Sequence, residues 1–313
     1  MNRNIINSEL DRIGNFPILH LNPSLEDGDD LADIYVALLH HSPTGSHKVF
    51  SYKSMIEAEE EQGNADESTI FVDYTTGNAG IAGAFICAQK GYDFSVFMPE
   101  NMSDERIEIL KALGADLHLT PENEFIVGCK ERAEEFIEEE PENRILLNQS
   151  ENLNNRRGYH PVGEKIYNQI EDIDVFVSGS GTYGTITGIS QVLKEKDKNI
   201  KVVLGEAEYA PHIDAKRNDY DYEFEPHNLI GFGAELLAPN AKPELYDETR
   251  TIDQETAEEA MKEMHSKGYL IGKTSGANIH WAIEEAKKLG DNGTVVTNTW
   301  DSFNRILSEK LYE

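Results

Sequence analysis

Short apolar runs alternate with longer amphipathic stretches along most of the chain. Asp33-Ile-Tyr-Val-Ala-Leu-Leu39, Thr69-Ile-Phe-Val-Asp73, Phe94-Ser-Val-Phe-Met98, Ile145-Leu-Leu147, Asp174-Val-Phe-Val-Ser178, Lys201-Val-Val-Leu-Gly205 and Thr294-Val-Val-Thr297 are rich in β-branched and aromatic residues, which predicts strands. Good helix formers fill the spaces between them. One predicted helix opens at Lys48 and closes at Gly63, a second of small residues runs to Lys90 before Gly91, and a third is capped by Ser103. Others end near Lys196 and cover 254–267 and 276–289. Strands alternating with helices through short loops predict an α/β fold with parallel sheets covered on both faces. Residues 1–30 read as an irregular lead-in. The stretch 207–250, with Gly231-Phe-Gly-Ala234 in its middle, reads as a loop long enough to be functional.

At 313 residues and 39% hydrophobic content, the chain has room for two domains or one large one. The acidic segment 134–143 and the loop Asn148-Gln-Ser-Glu-Asn-Leu-Asn-Asn155 mark the predicted seam. No apolar run approaches the roughly 20 residues that span a bilayer, and Met1-Asn-Arg-Asn4 lacks the apolar core of a signal peptide, so a soluble, cytoplasmic protein is expected. The 58 acidic residues against 28 basic ones leave a net charge of -30, a field that repels nucleic acid and anionic membranes. Such self-repulsion is tolerable where salt shortens the Debye length, to about 3 Å at 1 M, so a salt-adapted source is expected. Cys87 and Cys129 form no disulfide framework or zinc spacing, the histidines are scattered, and no metal site is expected.

Four stretches carry candidate chemistry. In Pro43-Thr-Gly-Ser-His-Lys-Val-Phe50, the lysine falls in the first turn of a helix, where the positive end of the helix dipole favours the neutral amine that attacks aldehydes. A lone lysine is ordinarily just solvated. Gly179-Ser-Gly-Thr-Tyr-Gly-Thr185 follows a strand and precedes a helix, which suits a phosphate: glycines let backbone N–H groups turn inward and the helix start favours an anion. It is neither a P-loop nor a clean dinucleotide fingerprint. Thr75-Thr-Gly-Asn-Ala-Gly80 has the same placement and suits a carboxylate, with Asn78 able to bond a ring oxygen. Gly272-Lys-Thr-Ser-Gly-Ala277 enters a further helix and, taken by itself, reads as a cap before it reads as a site. In parallel sheets, ligands gather at the carboxyl ends of strands, where such loops converge.

Taken together, these motifs resemble the fold type II pyridoxal-phosphate enzymes of the cysteine synthase (O-acetylserine sulfhydrylase) and cystathionine β-synthase group. The likeness runs from about Ile13 to Leu307 and includes Ile13-Gly-Asn-Phe-Pro17, Met98-Pro-Glu-Asn-Met-Ser-Asp-Glu-Arg106, Leu110-Lys-Ala-Leu-Gly-Ala115 and Gly231-Phe-Gly-Ala234. It implies a two-domain fold of the tryptophan synthase β type. Residues 1–40 plus 153–313 would form the larger, phosphate-binding domain, and 41–152 a smaller mobile domain. It implies pyridoxal 5'-phosphate bound covalently by Lys48, which later moves the Cα proton. Asn78 would hold the ring oxygen, Gly181, Thr182, Tyr183, Gly184 and Thr185 the phosphate, and Thr274 the pyridine nitrogen. Thr75, Thr76, Gln149 and Gly231 would meet the amino-acid substrate.

The implied reaction is β-replacement, O-acetyl-L-serine plus sulfide giving L-cysteine and acetate through an aminoacrylate, in a homodimer. Departures from the group's pattern are Val49-Phe50 after the lysine, Ala79, Tyr183 in the phosphate loop, Asn148 and Ser150 flanking Gln149, and Glu235 at the substrate mouth. They leave open a cystathionine β-synthase-like enzyme or a serine or threonine dehydratase. A catalytically altered ligand-binding relative is a further alternative, and a plain nucleotide binder would leave Lys48 and Asn78 without roles.

Overall fold

The computed structural model describes residues 6–233 and 236–312. The chain begins in a large sheet with β1 (Ile18–His20) and β2 (Asp33–Ala37), then enters α1 (Lys48–Gln62). It continues through β3 (Ile70–Tyr74), α2 (Asn78–Lys90), β4 (Asp93–Pro99), α3 (Asp104–Ala112), β5 (Asp116–Thr120), α4 (Phe125–Glu139) and β6 (Arg144–Leu146). Two helices, α5 (Asn154–Arg157) and α6 (His160–Gln169), lead back to the large sheet. There follow β7 (Val175–Gly179), α7 (Gly184–Lys196), β8 (Lys201–Ala207), α8 (His212–Asn218), β9 (Glu248–Ile252), α9 (Gln254–Ser266), α10 (Lys273–Leu289) and β10 (Thr294–Asn298).

The large sheet has the order β1-β2-β10-β7-β8-β9 and the small one β5-β4-β3-β6. Every pairing is parallel except β1 with β2. One cluster of buried apolar side chains, with Phe71 and Val96 from the small sheet and Phe176 and Leu204 from the large one, joins the two. The small residues of α2 let it lie directly on its sheet. A Cβ on Gly83 would come within 2.5 Å of the Phe94 ring, so nothing larger than glycine fits there unless the ring moves.

Several elements differ from the sequence reading, each for a physical reason. The acidic stretch from 134 lies largely on the outer side of α4, whose Gly128, Cys129 and Ala133 are buried; Cys129 and Ala133 pack with Val72 and Phe97 of the small sheet. The lead-in contains β1, and the long irregular stretch ends in β9, whose Glu-Thr-Arg-Thr-Ile composition is that of a polar edge strand. Helix α10 starts at Lys273, three residues before the predicted 276. Gly276 lies inside it, because a Cβ there would sit 2.6 Å from the Ala257 carbonyl oxygen where α10 crosses α9.

The carboxyl ends of β3, β6, β7 and β10 are followed by Thr75, Gln149, Gly181 and Asp301 respectively, so loops from both sheets line one cleft.

Candidate active site

Lys48 is the first residue of α1. The loop before it is stitched to the chain after β10: Ser46 bridges to Asp301, and the His47 N–H donates to the Trp300 carbonyl at 2.7 Å. The Trp300 indole also stacks on the buried His47 ring at 4.5 Å between centroids. Thus the backbone carrying the lysine is held by β10, while the Lys48 side chain crosses to the small-sheet side and donates from Nζ to Gln149 Oε1 at 3.0 Å. Although Lys48 is partly accessible as a residue, protein atoms crowd its amine. That desolvation lowers its pKa from 10.5 to about 8, with the charge of Asp73 acting in the opposite direction.

Asp73, wholly buried on β3, forms the floor beneath this pair. Its carboxylate accepts from the Tyr52 hydroxyl at 2.5 Å and the Tyr74 backbone N–H at 2.8 Å. Burial pushes its pKa up to about 7, against the pull of those donors and of Lys48. Asn155 and Asn240 hold Gln149 by its carbonyl while the Gln149 side chain receives the amine.

The loop between β7 and α7 has the geometry of an anion cradle. A Cβ on Gly181 would lie 2.0 Å from the Gly231 carbonyl oxygen, and one on Gly184 would lie 2.1 Å from Asn155 Oδ1, so both positions exclude a side chain. The first N–H groups of α7 have no partner within the helix. Thr182 Oγ1 accepts from Asn155 Nδ2 at 2.9 Å, and Thr185 Oγ1 lies 3.2 Å from His47 Nδ1. Asn155 Nδ2 also donates to the Gln149 carbonyl at 2.6 Å, tying the cradle to the glutamine loop. The Tyr183 side chain turns away from the cradle toward Glu206, leaving only its backbone at the loop.

Asn78, the first residue of α2, donates from Nδ2 to Asp301 Oδ2 at 2.8 Å, and the buried Thr274, in the first turn of α10, lies near the same carboxylate. Asp301, in the loop after β10, thereby ties the large sheet to the first helix after β3 of the small one. Burial raises its pKa, opposed first by the Arg106 guanidinium and then by Asn78 and Arg305. Asn78 Oδ1 and Asp301 Oδ1 are buried without a partner.

Thr75 is buried in the turn after β3, its hydroxyl oxygen accepting the Gly77 N–H at 3.1 Å, while Thr76 beside it is partly exposed. Gly231 is exposed at the rim with φ of 107°. Ala234 and Glu235 lie outside the described residues. The structure thus joins Lys48 to Gln149 directly, Asn78 to Asp301, and Thr182 to Gln149 through Asn155. It gives Thr76 no such link. Lys273, next to Thr274, is held in ion pairs with Glu258 at 3.0 Å and Glu309 at 2.6 Å, which sets it apart from the amine of Lys48. Among the described residues, no group of three His, Cys, Asp or Glu side chains could hold a metal ion.

Sequence reasoning passed over Asp73, Asp301, His47 and Asn155. The available signal was a single acidic residue at the end of an apolar strand, as in Ile70-Phe-Val-Asp73. A carboxylate in that position must find donors.

A buried amine of lowered pKa and a helix start cleared of side chains, both following strands that pair in parallel, are features that suit a phosphorylated, carbonyl-bearing group. The chain belongs to the pyridoxal-phosphate dependent enzyme family, whose sequence profile matches residues 10–299. It is similar to the cysteine synthase of Staphylococcus aureus, with 38% identity over 308 residues covering 96% of this chain and 95% of the relative. Its fold matches that of O-acetylserine sulfhydrylase isoform 3 from Entamoeba histolytica, at a TM-score of 0.92 and 28% identity, covering 100% of this chain and 93% of the other. It also matches the O-acetylserine dependent cystathionine β-synthase of Helicobacter pylori, at a TM-score of 0.89 and 29% identity, covering 99% and 100% of the two chains.

The residues present fit pyridoxal phosphate. The cleft offers a helix start for the phosphate, a lysine for the aldehyde, and buried oxygens of Asn78 and Asp301 that lack partners.

Proposed function

We propose that the enzyme is a cysteine synthase, carrying out β-replacement of O-acetyl-L-serine by sulfide to give L-cysteine and acetate. The observation that carries this reading is the 3.0 Å contact between Lys48 Nζ and Gln149 Oε1. A substrate whose α-carboxylate is held by Thr75, Thr76 and Gln149 has its Cα one bond from that carboxylate. The amine that must take the Cα proton therefore already reaches the carboxylate-binding side chain. The similarity to cysteine synthases supports the same conclusion.

In this reading, Lys48 would hold the cofactor covalently. Gly181, Thr182, Gly184, Thr185 and the Tyr183 backbone would hold its phosphate, Asn78 its ring oxygen, and Thr274 its pyridine nitrogen. When bound, pyridoxal phosphate supplies the electron sink that makes the Cα proton acidic and lets the β-substituent depart. Lys48 takes that proton, keeps it as an ammonium while acetate leaves Cβ and sulfide adds there, and returns it to Cα. A neutral hydroxyl at Thr274 is a poor proton source, which restrains the sink and favours chemistry at Cβ over transamination.

Residues 41–152 would form the smaller mobile domain, closing on the larger domain of 1–40 plus 153–313 to exclude water. We further propose a cytoplasmic homodimer, as the family resemblance implies. Among the described residues, no helix is long and apolar enough to cross a membrane.

A second reading, a synthase that accepts a larger thiol, is favoured by the close fit to the Helicobacter pylori enzyme and by the uncommon neighbours Asn148 and Ser150. Product analysis separates the readings. Incubation with O-acetylserine and sulfide should yield cysteine and acetate in equal amounts. Cystathionine from homocysteine without cysteine from sulfide would favour the second reading, and a keto acid with ammonia from serine would favour a dehydratase.

A further inference from the structure

The side chain of Tyr183 has no part in the reaction described, which uses only its backbone. Its φ of 60° lies in the left-handed region, which favours glycine and is strained for a bulky side chain. The position nevertheless carries a large side chain that is only 3% exposed. Its hydroxyl donates to Glu206 Oε1 at 2.6 Å. Glu206 is itself wholly buried near the end of β8, and its Oε2 accepts the backbone N–H groups of Ile213 at 3.1 Å and Asp214 at 2.8 Å, at the start of α8. Burial, and then the charge of Glu206, hold the Tyr183 hydroxyl in its protonated, donating form.

The same loop is tied to the segment beyond α8 at a second point. The Gly233 N–H donates to the Ser180 carbonyl at 3.0 Å, and Gly181 abuts the Gly231 carbonyl. The cradle is thus fastened at one end to Gly231 and Gly233 of the rim segment and at the other, through Tyr183 and Glu206, to the start of α8.

We propose that Tyr183 is a positioning residue for the cofactor phosphate. Its bond to Glu206 holds the 181–185 loop in the conformation that aims the free N–H groups of α7 at an anion, and couples that loop to the start of α8. This inference rests on reading the loop as the phosphate site, so its test must separate the two.

The full-length chain, freed of cofactor, is titrated with pyridoxal phosphate and separately with pyridoxal, which shares the aldehyde and ring but lacks the phosphate. The wild type should bind pyridoxal phosphate far more tightly. Tyr183→Phe should weaken pyridoxal phosphate by about tenfold, the effect of one lost hydrogen bond to a charged group, and leave pyridoxal unchanged. A variant that keeps the full phosphate preference, or loses affinity for both ligands equally, would overturn the positioning role while leaving the phosphate site standing. A wild type with no preference for the phosphorylated form would overturn the site itself. Should Tyr183→Phe fail to fold, Tyr183→Gly suits the backbone angle and lacks the hydroxyl. Loss of the phosphate preference in that variant supports the role, and its retention overturns it.

Discussion

Lys48 Nζ and Gln149 Oε1 lie 3.0 Å apart, although 101 positions separate the two residues in sequence. The lysine comes from a helix start anchored to β10 of the large sheet, and the glutamine from the loop after β6 of the small one. Their contact places the amine against the side chain that would receive a substrate carboxylate. Asn155, which donates to the Gln149 carbonyl at 2.6 Å, holds the glutamine loop in place.

The lowered pKa of Lys48 has a kinetic consequence. With a pKa of about 8 instead of 10.5, roughly a tenth of the amine is neutral at pH 7. The rate at which the cofactor-free chain takes up pyridoxal phosphate should climb as pH rises through about 8 and level off above it. Asp73 favours the charged amine, so Asp73→Asn should move the curve to lower pH. A wild-type rate still climbing beyond pH 10, as for a solvated lysine, would count against the assignment.

Gln149→Ala should raise the KM for the amino-acid substrate by about 10- to 100-fold, the range for one hydrogen bond to a charged group, with a smaller change in kcat. Cofactor affinity should stay the same, as a spectral titration would show. An unchanged KM would remove Gln149 from the carboxylate site.

Asp301 is buried within reach of the charges of Arg106 and Arg305 and accepts a hydrogen bond from Asn78. Asp301→Ala removes that opposing charge and leaves the Asn78 donor without its partner, which should cost about 1–3 kcal/mol of stability. Chemical denaturation should show the loss as a lower midpoint. A midpoint within error of wild type would mean that solvent, not Asp301, compensates the arginines.

The excess of 58 acidic over 28 basic residues should make the fold salt-dependent. We propose adaptation to high salt, with the melting temperature rising as KCl is brought to molar concentration and like-charge repulsion is screened. A flat or falling melting temperature would contradict it.

Interior strands and glycine-closed helices were legible in the sequence because burial on both faces and left-handed caps leave strong local signatures, as at Phe176 or Gly63. The strands that escaped notice, β1, β5 and β9, all lie at sheet edges, where one side faces water and the apolar pattern fades. Helix α6 was hidden by Pro161 and Gly163. The proline sits in the first turn, where it is tolerated, and the glycine lets the helix approach the Ile189 carbonyl and Val192. In the site, Lys48 stood out by its position at a helix start. Asp73 and Asp301 did not, because the importance of a lone carboxylate comes from its burial, which a single sequence does not display.

Reducing the cofactor-loaded enzyme with borohydride and mapping the labelled peptide tests the covalent bond to Lys48 most directly. A pyridoxyl group should appear on Lys48 alone. Label on another lysine, such as the ion-paired Lys273, or no stable label at all, would contradict it.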